Sequence, residues 1–272
     1  MIILTKKSRI TASINIIRNL IHSNAETVND YEVDHHSNMK EYWWEKTGPL
    51  KALHSLNPLR VSFLINGLSN TKSIHSSNIN TRNSLKNLKI LDVGCGGGIL
   101  TEALARLEGS VTGIDPSKEL IEIAKSHSVF LKNKHLTYLN EPIEDHVKSN
   151  EGKYDAVITS EVIEHISNKQ TFLTNCVECL KPGGSIFLTT PNKTFASWLG
   201  VVVLAEHLGF IPKGTHQWEK FIRPHELQSI LEIGCKCDTI TINGLSYNPL
   251  TNNWSWSDST DISYALHAVK YV

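Results

Sequence analysis

Short apolar segments alternate with amphipathic ones through the middle of this 272-residue chain. Several apolar segments are rich in β-branched residues, which is typical of strands buried on both faces of a sheet. We predict strands at Leu88–Val93, Ser110–Ile114, Leu136–Leu139, Tyr154–Thr159, Ser185–Thr190, Thr239–Ile242 and Tyr264–Val269. Helical spacing predicts helices at Ile99–Leu107, around Leu120–His127, at Phe172–Leu180 and at Pro224–Ile233. Strand–helix alternation predicts an α/β fold with a doubly wound, mostly parallel sheet and ligands at the strand C-terminal ends.

Two further segments precede the first strand. Asn57 followed by Pro58 predicts a helix start, with Asn57 as the N-cap, and apolar residues then recur at helical spacing as far as Leu68. The next segment, Ser69–Ser84, is rich in Ser and Asn and predicts a flexible linker. We therefore expect a helical extension with a linker over 28–87 and the main domain over 88–272.

The N-terminal segment is basic and contains no acid before Glu26. Hydroxyl and apolar residues are interleaved with the basic ones, which favours a mitochondrial transit peptide over residues 1–27. An ordinary basic helix is the alternative. The longest apolar stretch of the chain, Phe195–Leu204, is too short to span a bilayer.

Composition narrows the function only a little. The formal net charge is zero, so it gives no indication of a nucleic-acid partner. Five cysteines are an odd number, which argues against a disulfide framework. Cys176 and Cys179 form a single C-x-x-C pair without a second pair at zinc spacing, so we interpret these thiols as structural.

The most informative motif is Lys89–Gly98, in which an apolar run ends in an acid and a glycine-rich turn follows. A strand, a tight loop and a helix start in this order offer free backbone N–H groups to an anionic ligand. The alternative is a turn that merely packs a helix on the sheet. Asp115 ends the second strand, where a carboxylate can accept hydrogen bonds from two ribose hydroxyls.

Two ligand classes fit this arrangement. In the dinucleotide fingerprint the third glycine position falls on Ile99, which disfavours a nicotinamide oxidoreductase. The loop resembles instead the D-x-G-x-G-x-G loop of S-adenosylmethionine-dependent methyltransferases.

Polar residues also follow the fourth strand, in Ser160–His165. On one helical turn, Glu161, Glu164 and His165 would share a face. Two carboxylates and an imidazole can hold a divalent cation such as Mg²⁺, or His165 can act alone as a general base oriented by the glutamates. The sequence does not decide between these two interpretations. It also leaves two interpretations of Arg60: a solvated helix residue, or a cation near the cofactor carboxylate.

Several motifs occur together and in order along the chain: Asn57–Arg60, Ile90–Leu100, Val111–Asp115, Glu161–His165, Lys181–Gly184, Lys213–His216, Lys220–Ile222 and Gly244–Thr251. In this combination the chain resembles the ubiquinone biosynthesis O-methyltransferase family in its mitochondrial form, from about Tyr42 to the C-terminus.

The resemblance implies a class I methyltransferase fold with a seven-stranded sheet, and methylation of catechol-type hydroxyls of 3,4-dihydroxy-5-polyprenylbenzoate and of demethylubiquinol. It implies S-adenosylmethionine contacts at Arg60, Gly94, Asp115 and Ser160. Magnesium ligands are implied at Glu161, Glu164 and His165, and we interpret His165 as the catalytic base.

The resemblance also implies a place of action: the matrix face of the mitochondrial inner membrane, in a complex of coenzyme Q biosynthetic proteins. The apolar segment Phe195–Pro212, within an insertion at 195–222, would contact membrane lipids beside the active site or form a lid. The alternatives are a methyltransferase acting on a soluble phenol and a scaffold subunit without catalysis.

Overall fold

The computed structural model describes residues 27, 33, 37, 39–74, 76–79, 81–131, 135–194, 197 and 218–271. The predictions of a transit peptide and of a membrane-contacting segment at Phe195–Pro212 fall almost entirely outside these residues, as does the motif Lys213–His216. Within the described residues, none of the helices combines the length and the apolar character that crossing a bilayer requires.

A mixed sheet forms the centre of the described structure. Its strands are β1 (Lys89–Val93), β2 (Ser110–Asp115), β3 (Leu136–Asn140), β4 (Tyr154–Ser160), β5 (Leu180–Pro191), β6 (Cys237–Asn248), β7 (Asn253–Ser257) and β8 (Ser263–Lys270). Their order across the sheet is β3-β2-β1-β4-β5-β8-β6-β7. The first five strands run parallel, whereas β8, β6 and β7 pair antiparallel to their neighbours. The predicted α/β fold with a doubly wound, mostly parallel sheet is confirmed.

The α-helices whose bounds are described are α1 (Lys51–Asn70), α2 (Ile99–Ala105), α3 (Lys118–Ser128), α4 (Ile143–Asn150), α5 (Lys169–Glu178) and α6 (Pro224–Ser229). A π-helical turn, Ile230–Gly234, continues α6. Side-chain caps begin two of these helices: Ser117 accepts a hydrogen bond from the Leu120 N–H, and Asn168 accepts one from the Thr171 N–H.

The core has two layers because successive strand residues point to opposite faces of the sheet. Leu91, Val157 and Ile186 face the layer that contains α4 and α5. Their neighbours Ile90 and Ile158 face the layer that contains α1 and α2. This alternation explains why the central strands carry continuous apolar runs: both faces are covered.

The sheet has eight strands rather than the seven that the resemblance implies. The additional strand, β7, lies in the polar segment rich in Asn, Ser and Trp. Trp254 of β7 donates from its indole N–H to the Ala52 carbonyl at 3.0 Å and packs against Tyr247 of β6. The strand is therefore stabilised by contact with α1, a partner about 200 residues away that local sequence does not reveal.

The prediction that Asn57 caps a helix is wrong. Helix α1 begins at Lys51, and Pro58 lies inside it. Asn57 makes two other hydrogen bonds instead: its amide donates to the Ile99 carbonyl of α2 at 2.9 Å, and its Oδ1 accepts from Arg60, three residues further along α1, at 2.8 Å. The side chain that would cap an isolated helix therefore positions Arg60 and the start of α2.

The described part of Ser69–Ser84 differs from the flexible linker that its composition predicts. Helix α1 continues through Asn70, and the Ile74 side chain is buried in the core layer beneath α1. Ser84 is also buried and donates to the Asn78 and Thr81 carbonyls. Polar side chains here satisfy the backbone within tight turns, which composition alone does not distinguish from a solvated linker.

Candidate cofactor and active site

The glycine-rich loop lies between the C-terminal end of β1 and the start of α2. Gly94 and Gly96 have φ values of 72° and 53°, in the left-handed region that glycine adopts without steric cost. The N–H groups of Gly94 and Cys95 both donate to the Ile114 carbonyl, at 2.9 and 3.0 Å, which ties the loop to β2. The strand–loop–helix arrangement predicted for Lys89–Gly98 is confirmed.

Two buried aspartates lie at the C-terminal ends of the neighbouring strands: Asp92 is the penultimate residue of β1, and Asp115 is the last residue of β2. Asp115 accepts hydrogen bonds from the N–H groups of Gly96 at 2.9 Å and Ser117 at 2.8 Å. Asp92 accepts one from the Thr101 hydroxyl at 2.6 Å. Burial raises the pKa of each carboxyl to about 6, although these hydrogen bonds favour the ionised forms. Both acids therefore titrate just below neutral pH.

Arg60 reaches this strand edge from α1. Its Nη1 donates to the Ser160 hydroxyl at 3.1 Å, and its Nη2 donates to the Leu53 carbonyl and to Asn57. None of these acceptors carries a charge, and the Arg60 Nε is buried without a hydrogen-bond partner among the described residues. Burial lowers the pKa of Arg60 to about 10, so the guanidinium is cationic at neutral pH. Of the two readings open for Arg60, the structure excludes the solvated one.

Ser160 ends β4 and joins two neighbouring strands. Its hydroxyl lies 2.7 Å from the Thr189 hydroxyl of β5 while it accepts from Arg60. A small cavity beside it is lined by Arg60, Ser160 and Thr189 at its polar side, with Phe63 and Leu100 among the apolar residues. The structure therefore brings Arg60, Ser160 and the loop after β1 to one edge of the sheet.

Residues 160–165 do not form the single helical turn that their spacing predicts. Glu161 has a left-handed backbone, with φ of 58°, and Val162 has φ of −129°. Only Ile163–His165 form a short 3₁₀ turn. Within the described residues, His, Cys, Asp and Glu form no group of three or more placed to hold a metal ion. The break at Glu161 explains why Glu161, Glu164 and His165 do not share one face.

The two glutamates are nevertheless unusual. Glu164 is buried and accepts a hydrogen bond from the Thr190 hydroxyl at 3.0 Å. One carboxylate oxygen of Glu161 and one of Glu164 are buried without a partner among the described residues. Burial and the neighbouring Glu161 charge raise the pKa of Glu164 well above its ordinary value. Such a pair attracts a proton or a cation.

An aromatic segment that we name the tryptophan clasp, Met39–Trp44, lies over the glycine loop. Trp43 is buried and packs with Ile99 of α2 and Leu120 of α3. Trp44 donates from its indole N–H to the Gly97 carbonyl at 3.0 Å. The sequence motifs did not assign these aromatic residues to the site. Their only sequence signal is their clustering, which does not name a partner.

Other residues of this edge also escaped the sequence analysis. Thr101, Thr189 and Thr190 were not assigned, yet each hydroxyl contacts a residue of the site. Asn140 ends β3 and donates to the carbonyls of Asp115 and Pro116, at 3.0 and 2.8 Å. A usable signal existed, because each of these residues except Thr101 stands at the C-terminal end of a predicted parallel strand.

Comparison with known proteins gives consistent matches. The family model described as a methyltransferase domain matches residues 71–237. The mitochondrial ubiquinone biosynthesis O-methyltransferase of Rattus norvegicus is 43% identical over 254 residues, covering 92% of this chain and 72% of the relative. The ubiquinone biosynthesis O-methyltransferase of Vibrio parahaemolyticus is 36% identical over 248 residues, covering 91% of this chain and 99% of the relative.

Solved structures show the same fold at low sequence identity. Magnesium protoporphyrin IX methyltransferase from Synechocystis, solved with bound SAH, superposes with a TM-score of 0.54 at 18% identity, over 95% of both chains. A methyltransferase from Thermotoga maritima superposes with a TM-score of 0.54 at 14% identity, over 88% of this chain and 98% of that one.

Proposed function

Because this chain belongs to the ubiquinone biosynthesis O-methyltransferase family, we propose that it transfers the methyl group of S-adenosylmethionine to a catechol-type hydroxyl of a ubiquinone precursor. The observation that carries the proposal is the convergence of a left-handed glycine loop, a buried acid and a buried cation whose hydrogen-bond acceptors are all neutral, at the C-terminal ends of β1, β2 and β4. A zwitterionic nucleoside ligand needs this combination of groups.

In this proposal each group of the cofactor has a partner in the chain. Arg60 attracts the methionine carboxylate, because its charge is buried and its hydrogen bonds go only to neutral acceptors. Asp115 accepts from the ribose hydroxyls through the lone pairs that Gly96 and Ser117 leave free. Gly94 lets the ligand approach the backbone closely, and Ser160 holds Arg60 in place.

The reaction is an in-line displacement at the methyl carbon. As the catechol oxygen forms its bond to that carbon, the carbon–sulfur bond breaks and sulfur leaves as a neutral thioether. The hydroxyl proton must go to a base, because a phenol with a pKa near 10 is mostly protonated at neutral pH. We propose His165, at the end of the turn after β4, as the proton acceptor. Alignment of oxygen, carbon and sulfur is the main contribution of the site.

We further propose that Mg²⁺ binds at Glu161 and Glu164, with His165 as a third ligand in place of its role as proton acceptor, because a neutral imidazole has a single free lone pair. The support is the pair of buried carboxylate oxygens without partners, since carboxylates are ligands that Mg²⁺ prefers. Bound there, the cation would orient the catechol and lower the pKa of its hydroxyl. His165 would have to shift to join the two glutamates, because the three side chains do not form a metal-holding group in the described part of the chain.

We also propose the acceptors, the place of action and the partners of the enzyme. The acceptors are 3,4-dihydroxy-5-polyprenylbenzoate and demethylubiquinol, and the enzyme acts peripherally on the matrix face of the mitochondrial inner membrane with other coenzyme Q biosynthetic proteins. The N-terminal 27 residues are a transit peptide, and segment 195–222 contacts lipid or covers the pocket. The family and the basic, acid-poor N-terminus support this location.

The test is methyl transfer by the full chain to a prenylated catechol and to the same catechol without the tail, each with and without a chelator. We expect activity on the prenylated acceptor, with a loss of at least tenfold on chelation and in Glu161→Gln. The exposed Glu122→Gln serves as the matched control. Activity that ignores the chelator removes the metal from the proposal. Equal activity on both acceptors indicates a soluble phenol, and binding of NAD instead of S-adenosylmethionine in calorimetry refutes the function.

A further inference from the structure

Trp43 lies directly on the glycine loop. A Cβ atom built on Gly96 would stand 2.2 Å from Cζ2 of the Trp43 ring, and one built on Gly97 would stand 2.3 Å from its Cδ1. Glycine at these two positions therefore allows the indole, as well as any ligand, to approach the loop closely. Only 6% of the surface of Trp43 is exposed, so its ring is packed tightly between the loop and its other neighbours.

The indole N–H of Trp43 has no hydrogen-bond acceptor among the described residues, although it is buried. A buried donor without a partner is rare in folded proteins because its lost hydration is not repaid. The neighbouring Trp44 shows the contrast, since its N–H is satisfied by the Gly97 carbonyl at 3.0 Å. The unsatisfied N–H therefore stands beside the loop that offers backbone groups to a ligand.

The tryptophan clasp is held in this position from both sides. The Trp43 carbonyl lies 2.9 Å from Nε2 of His54 in α1. The Trp44 ring stacks on His127 of α3, with centroids 3.4 Å apart and planes within 4°. His127 in turn contacts Glu102 of α2 at 2.7 Å. These contacts attach the clasp to α1, α2 and α3, the three helices around the loop. The position of the Trp43 ring is therefore defined by specific contacts.

We propose that Trp43 is a cofactor-binding residue: its ring forms one wall of the S-adenosylmethionine site beside Gly96 and Gly97, and its Nε1–H donates to an oxygen of the bound cofactor. The inference rests on the proposed placement of the cofactor on this loop. It assigns part of the site to the segment before α1, outside the motifs that the sequence analysis identified.

The test uses the full chain with ¹⁵N-labelled tryptophan, titrated with S-adenosylhomocysteine. The Trp43 indole resonance, identified by its absence in Trp43→Phe, should move downfield and saturate at the calorimetric Kd. The Trp44 resonance is the internal reference, because its N–H already has an acceptor. Trp43→Phe keeps an aromatic ring but loses the donor, and should weaken binding about tenfold, as expected for one hydrogen bond to a polar ligand.

The matched control is Trp254→Phe, which removes an indole N–H that bonds the Ala52 carbonyl at the far edge of the sheet. We expect it to leave the Kd within twofold. If the wild type binds the ligand while the Trp43 resonance stays in place and Trp43→Phe binds normally, the inference is wrong and the proposed function stands. A Trp43 resonance that becomes solvent-exposed on binding also overturns it. If the wild type binds no ligand, the proposed function itself fails.

Discussion

Replacing Gly96 with alanine tests the packing of the tryptophan clasp on the glycine loop. Gly96 has φ of 53°, a conformation that costs an L-residue about 1–2 kcal/mol. The new Cβ would also stand 2.2 Å from the Trp43 ring, closer than any real contact, so the buried indole must move. Displacing a buried aromatic side chain forfeits about 2–3 kcal/mol of burial. Gly96→Ala should therefore destabilise the fold by about 3–5 kcal/mol.

Gly152→Ala is the matched control. Gly152 also has a left-handed backbone, with φ of 67°, but nothing lies within 4 Å of the Cβ that alanine would add. Only the backbone cost of about 1–2 kcal/mol should appear there. The excess at Gly96, about 2–3 kcal/mol, is then the energy of the Trp43 contact.

The assay is urea unfolding at constant pH without ligand, with m-values checked for two-state behaviour. A double-mutant cycle isolates the contact, since Gly96→Ala in a Trp43→Ala background should cost no more than Gly152→Ala. Equal destabilisation by Gly96→Ala and Gly152→Ala in the wild-type background would show that Trp43 does not pack on the loop. Such a result would also remove the basis for Trp43 as a cofactor wall.

Three further predictions concern charges at the same strand edge. Asp115 has a pKa of about 6, raised by burial, so its ionised form is lost as pH falls. The Kd for S-adenosylhomocysteine, measured by calorimetry, should therefore rise about tenfold from pH 7 to pH 5. If the Kd of Asp115→Asn changes with pH as much as that of the wild type, the titrating group is another residue. Arg60→Lys replaces a planar guanidinium, whose two Nη atoms reach three acceptors, with a single ammonium nitrogen that cannot reproduce this geometry. The KM for S-adenosylmethionine should therefore rise roughly 10- to 100-fold in steady-state kinetics, and an unchanged KM would refute a carboxylate contact. Thr101→Val leaves buried Asp92 without its hydroxyl donor and should lower the free energy of unfolding by about 1–3 kcal/mol at pH 7.5, measured in urea. The loss should be smaller at pH 5, where Asp92 is protonated, and a loss independent of pH would contradict this reasoning.

The glycine loop and Asp115 were predictable because everything that defines them is local. An apolar run, an acid, a glycine-rich turn and a helical pattern specify a strand, a loop and a helix within 20 residues. Parallel strands then place their C-terminal ends along one edge, so the loop and Asp115 had to lie close together.

Interactions between distant segments were not predictable in this way. Arg60 meets Ser160 across 100 residues, and this contact turns an ambiguous helix residue into a buried cation at the site. The clasp similarly meets the loop across about 50 residues, with Trp44 bonded to the Gly97 carbonyl. The spacing of apolar residues shows which face of a helix is buried but does not identify the segment that covers it. The hydrophobic effect depends on the apolar area removed from water and hardly on which apolar residue covers that area.

Backbone conformation at Glu161 shows the same division at a single residue. The spacing of Glu161, Glu164 and His165 predicts a shared helical face, and the chemistry of those residues was read from the sequence alone. The structure gives Glu161 a φ of 58° and confines the turn to Ile163–His165, so the three residues do not form the predicted helical turn. The sequence determined which groups this edge offers, whereas tertiary packing decided their directions, because a residue enters the left-handed region only where surrounding contacts outweigh its steric cost.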